Sequence, residues 1–445
     1  MYALSVKSTN CIIGNRTILC NAKSSGLSAL SGIIFIILLF GICATNATAQ
    51  ITKVDSAESV TLRIDPESSR GGTVSDFFDQ VDFVPLETTK ESLFGSISQL
   101  EVTKNYFVIY DYDTKSVLIF NRDGKFKAKV GSNKITDDSA DTENALFFGF
   151  KLVSFGTDSA IKILSGKRYF LFDFDGKLLK KDQFDSKNSD YRHIQLNKEI
   201  KIEDYHASSK SKDISHYEIA ILNGEKELGL FFPYHKDRYK NDQYMGSGKL
   251  ITNSGIKDEL FYVRHYEYNI YKIRPSSLSL AYHIIFPAAV SLPKDFMSNK
   301  DYQNKRIEYL EKFKDQIYGI GNTYLFGDKL FFRTSSMRWG RNKKNALIYN
   351  LKTSGLTSVN DIQPDSLSQF LPITDGAMFD DFENHGFHLY KNGFLYTSYS
   401  SLAMFSFRDL DLGKKRKYSA VLANYFQAQN KKSNPIIVQL KPKTD

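Results

Sequence analysis

Cysteine is nearly missing from this chain of 445 residues, and the three present, Cys11, Cys20 and Cys43, crowd near its start. Everything after Cys43 is cysteine-free, which excludes disulfide staples, cysteine-ligated zinc and a cysteine nucleophile from that stretch. Acidic residues are missing from the first 54 positions, Asp55 being the first. Apolar runs are short except for Ile33 to Cys43, so a polytopic membrane protein is excluded. Tryptophan occurs once, at Trp339. Catalytic signatures are lacking too: there is no G-x-S-x-G elbow, no His-Glu-x-x-His and no phosphate loop. Asp111-Tyr112-Asp113 lacks the remaining ligands of a calcium loop. No catalytic residue and no metal ligand is assigned.

What remains is ordinary globular material. Hydrophobic residues make up 42% and charged residues 24%, which rules out disorder and collagen-like structure. The aromatic share is 14%, built from 34 Phe and 26 Tyr, and residues of this kind suit pleated, half-buried surfaces.

Lys7, Arg16 and Lys23 precede the apolar run, and Ala47-Thr48-Ala49 follows it. A basic leader, a short apolar run and an A-x-A ending mark a secretory signal peptide, because the apolar part partitions into the bilayer while the positive end stays behind. Residues 1–49 are expected to be removed before Gln50. An uncleaved anchor would need about 20 apolar residues; Leu27 to Ala49 reaches that only by including Ser28, Ser31, Thr45, Asn46 and Thr48. Lipidation would need a small residue before the modified cysteine, and Ile42 precedes Cys43. Without the leader's three basic residues, 56 cations face 50 anions over 396 residues, a mild excess that requires no polyanion. No nucleic-acid partner and no stable membrane span after cleavage are expected.

The clearest internal signal is a repeat. Phe120-Asn121-Arg122-Asp123-Gly124-Lys125 and Phe172-Asp173-Phe174-Asp175-Gly176-Lys177 both follow an apolar strand, 52 residues apart. Asp-Gly between apolar runs favours a tight hairpin, since glycine accepts positive φ. Asn223-Gly224, Arg274-Pro275-Ser276-Ser277 and Lys352-Thr353-Ser354-Gly355 occupy equivalent places further on. A second polar turn opens a strand at Lys104-Asn105, Lys257-Asp258, Gly327-Asp328 and Lys391-Asn392, with a weaker version at Thr157-Asp158. Four short antiparallel strands per unit of about 40–60 residues is the content of a propeller blade. Five units are recognisable, and a sixth lies around 387–445. The strands Val60–Ile64 and Val81–Val84 are expected to complete the last blade, closing the ring and removing sheet edges. Helical insertions are expected over Leu292 to Ile317 and over Tyr418 to Gln427. The first two strands of the third unit, about 190–235, cannot be placed. The reading is an all-β six-bladed propeller with short helical insertions, residues 50–445 forming one domain.

At this point the sequence resembles the bacterial six-bladed β-propeller family of exported proteins, mostly uncharacterised. The residues carrying the resemblance are Val84-Pro85-Leu86-Glu87-Thr88, Leu93-Phe94-Gly95-Ser96-Ile97, Phe120 to Phe126, Arg264 with Asn269-Ile270-Tyr271-Lys272-Ile273, and Asn434-Pro435-Ile436-Ile437-Val438. In place of the family's Gly-Pro-Gly-Glu-like loop stands Gly131-Ser132-Asn133-Lys134-Ile135-Thr136-Asp137-Asp138. The resemblance implies the propeller fold, export to the periplasm or surface of a Gram-negative bacterium, and association with outer-membrane nutrient uptake. It supplies no agreed activity.

Two places are candidates for ligand contact. Arg264, His265, Tyr266 and Glu267 approach a turn, and alternate members would line the central channel if their strand is innermost, which makes Arg264 and His265 ligand-contact candidates; a structural hydrogen-bond role for Arg264 is the alternative. Arg338 and Trp339, in Met337-Arg338-Trp339-Gly340-Arg341, could stack on a sugar or bind an anionic glycan; a polar loop with one packed aromatic is the alternative. His385-Gly386-Phe387-His388, after Asp380, Asp381 and Glu383, reads as a solvated loop, because His-x-x-His on a strand would split its imidazoles between two faces. Lys414-Lys415-Arg416-Lys417 reads as a solvated helix lead-in. The function expected is that of a non-enzymatic binding or interaction module in the cell envelope, with a glycan, a peptide or another envelope protein as partner. The rivals are a hydrolase or lyase with a divalent cation in the channel, and a periplasmic sensor domain. No cofactor is expected apart from that channel cation.

Overall fold

The structure, a computed structural model, describes residues 53–135, 147–183, 193–207, 216–235, 237–238, 240–338, 344–375, 381–410, 414 and 416–444. The leader, Trp339 and most of Thr136-Asp137-Asp138's loop therefore lie outside the described residues.

Three strands come first: β1 (Val60–Arg63), β2 (Arg70–Thr73) and β3 (Phe78–Pro85), the last two separated by a single turn of helix, α1 (Val74–Phe77). Six sheets follow. Blade 1 is β4 (Gln99–Val102), β5 (Tyr106–Asp111), β6 (Ser116–Asn121) and β7 (Phe126–Gly131). Blade 2 is β8 (Lys151–Phe155), β9 (Asp158–Ser165), β10 (Arg168–Phe172) and β11 (Leu178–Gln183). Blade 3 is β12 (His193–Gln195), β13 (Ile200–Ala207), β14 (His216–Asn223) and β15 (Lys226–Tyr234). Blade 4 is β16 (Ile251–Asn253), β17 (Leu260–Val263), β18 (Asn269–Arg274) and β19 (Ser277–Ile285). Blade 5, entered through α2 (Arg306–Lys312), is β20 (Ile317–Phe326), β21 (Lys329–Ser336), β22 (Ala346–Asn350) and β23 (Leu356–Gln363). Blade 6 follows α3 (Asp381–His385) and holds β24 (Leu389–Lys391) and β25 (Phe394–Tyr399); after α4 (Ser401–Leu410) and α5 (Ala420–Ala428) comes β26 (Ile436–Pro442). This is a six-bladed β-propeller.

Each blade is sandwiched between two others, so its middle strands are buried on both faces. That is why Val117-Leu118-Ile119-Phe120 is a continuous apolar run, buried throughout, and not an alternating one. Hydrophobic clusters fill the seams; Val108, Tyr110 and Ile119 of blade 1, for example, meet Ile161, Phe170 and Phe172 of blade 2.

The ring closes in blade 6, whose strand order is β24-β25-β26-β3. Val81 pairs with Leu440 and Val84 with Ile437, as expected. The other early strand goes elsewhere. β1 pairs in parallel with β19, Val60 opposite Tyr282, and so extends blade 4, while β2 pairs in parallel with β23 and extends blade 5. The N-terminal segment is thus a strap across three consecutive blades. A parallel fifth strand leaves no hairpin signature, and nothing local in Val60–Ile64 distinguishes one outer edge from another.

Asn434 staples the closure. Its Nδ2 donates to the carbonyls of Glu87 (2.8 Å) and Ser92 (3.0 Å), and its Oδ1 accepts from the Phe94 amide at 3.0 Å. The Phe126 amide donates to Glu87 Oε2 at 2.9 Å. The motif residues of both chain ends therefore meet at one place.

The helical segment expected over Leu292 to Ile317 is shorter: α2 covers only Arg306–Lys312, with 3-10 turns at Ala288–Val290 and Lys300–Tyr302. The second insertion is α5, and α4 is an additional helix whose Leu402-Ala403-Met404-Phe405 reads like a strand.

Candidate functional site

In every blade the first strand is innermost, and it is entered from one end of the ring, here called the upper end. The Asp-Gly hairpins between third and fourth strands fall at the lower end. The connections between blades, α2, α3, and the α4–α5 insertion all fall at the upper end. Function concentrates in long connections held by a rigid frame, which directs attention upward.

Arg264 and His265 lie there, but in the turn after β17, the second strand of blade 4, and not on the innermost strand. Arg264 donates from Nε (2.7 Å) and Nη2 (2.9 Å) to the two oxygens of Glu218 on β14, across the seam between blades 3 and 4. Arg238 Nη1 reaches Glu218 Oε1 at 2.5 Å, and the Tyr262 hydroxyl donates to Oε2 at 2.9 Å. Burial alone would push the Glu218 carboxyl up, yet the Arg264 hydrogen bonds, with Arg238 and Tyr262, outweigh it and hold the carboxyl below its ordinary value. Arg264 also donates to Glu267 and lies 4.3 Å over the Phe232 ring. His265 is pushed down by burial. Its Nδ1 lies 3.1 Å from the Met245 carbonyl, which can only accept, so Nδ1 carries the proton and Nε2 faces the Tyr205 hydroxyl at 3.4 Å.

Two cavities flank this hub. One, of about 290 Å³, lies between Ile194, Asp204, Tyr205, Glu218, Lys249 and Tyr262. The other, of about 360 Å³, is bounded by Arg238, Tyr244, Arg264, Glu267, Lys300 and Gln303. Beneath the second, fully buried Arg306 pairs with Asp242 at 2.6 Å and donates to the Phe296 and Met297 carbonyls, fixing the segment between blades 3 and 4. That segment, residues 240–250, runs past both cavities.

The channel itself carries mixed charge. Glu101 on β4 lies 3.9 Å from Lys391 Nζ on β24, and Lys249 Nζ donates to the His388 carbonyl at 2.6 Å. Burial pushes Glu101 up, against the pull of Lys391 and Lys249, and pushes Lys249 down. A carboxylate between two lysines is a poor donor set for a divalent cation. Among the described residues no three His, Asp or Glu side chains gather closely enough to hold a metal ion.

A titratable cluster sits on blade 3. His206 Nδ1 is 2.7 Å from Glu203 Oε2, its Nε2 is 2.9 Å from Glu227 Oε1, and His193 Nε2 is 3.1 Å from Glu203 Oε2. Burial resists charge at both residues, but the mutual hydrogen bonds prevail: Glu203 is brought down to about 2 and His206 is raised. Tyr205, between them, has φ +53°, and the ladder skips it.

His385-Gly386-Phe387-His388 is not a solvated loop. Phe387 is fully buried against Phe331 and Phe382, and buried His388 pairs with Ser398 Oγ at 2.8 Å. His385 closes α3, so the motif does not lie on one strand, and the two imidazoles are neighbours with rings 5.7 Å apart, not split between faces. Arg338 is exposed, its Nη1 3.5 Å from equally exposed Asp315, a pair of little energetic weight. Trp339 lies outside the described residues. Arg416 is not merely solvated, since its guanidinium lies 3.7 Å over Phe370.

The sequence reading missed Glu218, Arg238, Glu101, Lys249 and Lys391. A signal existed for two: Glu218 interrupts Tyr217-Glu218-Ile219-Ala220-Ile221-Leu222, and Glu101 stands between Leu100 and Val102. A charge inside an apolar strand needs a partner.

Comparison with known proteins adds the following. A family described as Domain of unknown function (DUF4934) matches residues 61–441. No curated protein matches the sequence. Among solved structures, a candidate exported protein from Bacteroides fragilis aligns at 15% identity with a TM-score of 0.57, over 86% of this chain and 99% of that one. A member of the DUF4221 family from Bacteroides vulgatus aligns at 10% identity with a TM-score of 0.41, over 83% and 100% of the two chains. A virginiamycin B lyase from Staphylococcus aureus aligns at 12% identity with a TM-score of 0.28, over 62% and 73%. The Bacteroides fragilis likeness concerns the fold alone.

Proposed function

The chain belongs to the DUF4934 family, and on that six-bladed frame we propose that it works as an exported binding module taking its ligand at the upper end of the ring. One observation carries the reading: the described cavities around the Glu218–Arg264 hub open where the long connections gather, while the lower end is finished with tight turns. The hub's charges are compensated by one another, which suits a rigid recognition surface better than a reactive one. Export is supported by the basic and apolar leader and by the Bacteroides fragilis likeness, and a glycan or peptide nutrient of the cell envelope is the ligand class in view. Mature protein recovered from the envelope should begin at Gln50.

Hydrogen exchange with and without a panel of oligosaccharides and peptides tests the binding reading. Binding should slow exchange in 240–250, 264–268 and 383–388 and raise the unfolding temperature. Protection confined to the lower-end turns, or a panel without any effect, would remove it.

A further inference from the structure

We infer that a third upper-end cavity, beside Arg333, binds a small ligand through a carboxylate flanked by hydrogen-bond donors. The inference rests on the upper end being the ligand-binding face and names the chemistry of one site there. Arg333, on β21, differs from the arginines around the Glu218 hub and its neighbouring cavity. Arg264, Arg238 and Arg306 each pair with a buried carboxylate. Arg333 has no such partner: its Nη2 donates to the Glu383 carbonyl, and its Nε is buried without a hydrogen-bond partner. A guanidinium offers five donors in a rigid fork, so most of this one's capacity is unused. Burial lowers its proton affinity, and the neighbouring Glu383 carboxylate, which forms no ion pair with it, offsets only part of that.

The side chain is also held in place. Gly386 has φ +65°, and a Cβ there would stand 2.7 Å from Arg333 Cδ, so only glycine lets the chain lie against the arginine. The adjoining cavity, about 320 Å³, is bounded by Ser247, Gly248, Tyr318, Ser335, Asn345 and Glu383. Ser247 in its wall is fixed by main chain packed on main chain: a Cβ on Gly321 would lie 2.0 Å from the Ser247 carbonyl oxygen. A preformed pocket with a fixed cation suits a planar carboxylate, which matches the guanidinium fork. Glu383, steadied by Asn345 Nδ2 at 2.8 Å, adds an acceptor for donors beside that carboxylate. The volume suits one sugar-acid unit or the carboxyl end of a short peptide, the two sources of this chemistry.

Calorimetric titration of the purified protein with D-glucuronate, dialanine and D-glucose tests the site. Saturable binding of glucuronate or of dialanine is expected, and whichever binds identifies the source; glucose should give none. Arg333→Gln should weaken binding by roughly thirtyfold or more. Ser335→Trp, which fills the cavity without removing the arginine, should abolish it and decides the matter should the first variant fold poorly. Failure of both acids to bind, or binding that survives both substitutions, overturns the inference. A neutral ligand bound equally by the wild type and both variants would overturn this site while leaving the upper-end reading standing.

Discussion

At the residue scale the molecule is defined by charges placed inside apolar surroundings and answered there. Glu218 is the clearest: four donors from three residues converge on its two oxygens, so it stays ionised despite burial. In the blade 3 cluster two groups, Glu203 and His206, are shifted in opposite directions by one another. Glu203 falls from 4.5 to about 2 on folding, so its contribution is present above 4.5 and is lost as the pH falls towards 2. His206 is raised from 6.5, so its contribution is full below 6.5 and is lost as the pH rises through the folded value. The cluster therefore stabilises most between 4.5 and 6.5. His206→Gln should flatten the alkaline side of the curve of unfolding temperature against pH. Parallel wild-type and variant curves from about pH 4 to about pH 9 would refute the assignment. Such residues were hard to read in advance. A lone Glu in a strand shows that a partner exists, but Arg238 and Arg264 come from another loop and another blade, and no spacing links them to Glu218.

At the element scale, the parts fixed by local chemistry were legible and the parts fixed by distant partners were not. The Asp-Gly and Asn-Gly hairpins stand where their turns predict, because positive φ at glycine is a local requirement. β12 escaped notice because three residues, His193-Ile194-Gln195, carry no periodicity; β13 escaped because its apolar alternation, Ile200 and Ile202, stops at Asp204. The same turn motif does different work in different blades. Gly124 (φ +85°) lies under the N-terminal segment, where a Cβ would come within 2.1 Å of the Pro85 carbonyl oxygen; Gly224 (φ +59°) has nothing within 4 Å. Gly224→Ala should cost only the left-handed conformation, about 1–2 kcal/mol. Gly124→Ala should cost about 3 kcal/mol or more, since a main-chain clash is added. Urea denaturation of the two variants checks this, and equal losses would show that the Gly124 contact carries no weight.

At the scale of the whole molecule, the strap of residues 53–85 distinguishes this ring from a bare set of six blades. It covers the outer edges of blades 4, 5 and 6 in succession and buries Leu62 and Ile64 in the seam between blades 4 and 5. Exposing two such side chains costs roughly 3–6 kcal/mol in total. Removal of residues 53–73, which leaves β3 in place, should lower stability by about that amount and favour association through the bared edges of β19 and β23. Denaturation with light scattering tests it, and a monomer of unchanged stability would show the strap to be ornamental. The six-unit count and the β3 closure were legible because the repeat is written in turns and apolar runs, whereas the destinations of β1 and β2 depend on edges more than two hundred residues away, Val60 meeting Tyr282.

The pairing of Pro85 with Ile436 joins positions 436 − 85 = 351 residues apart. A chain that emerges N-terminus first, from a ribosome or through a membrane pore, must hold one half of its clasp open until β26 has appeared. Until then Asn434 has not arrived to fasten Glu87, Ser92 and Phe94, and the growing protein is an unclosed arc with a waiting edge. Removing Asn434 and the strand that follows it, Ile436–Pro442, would strike the latch itself and leave β3 without its partner.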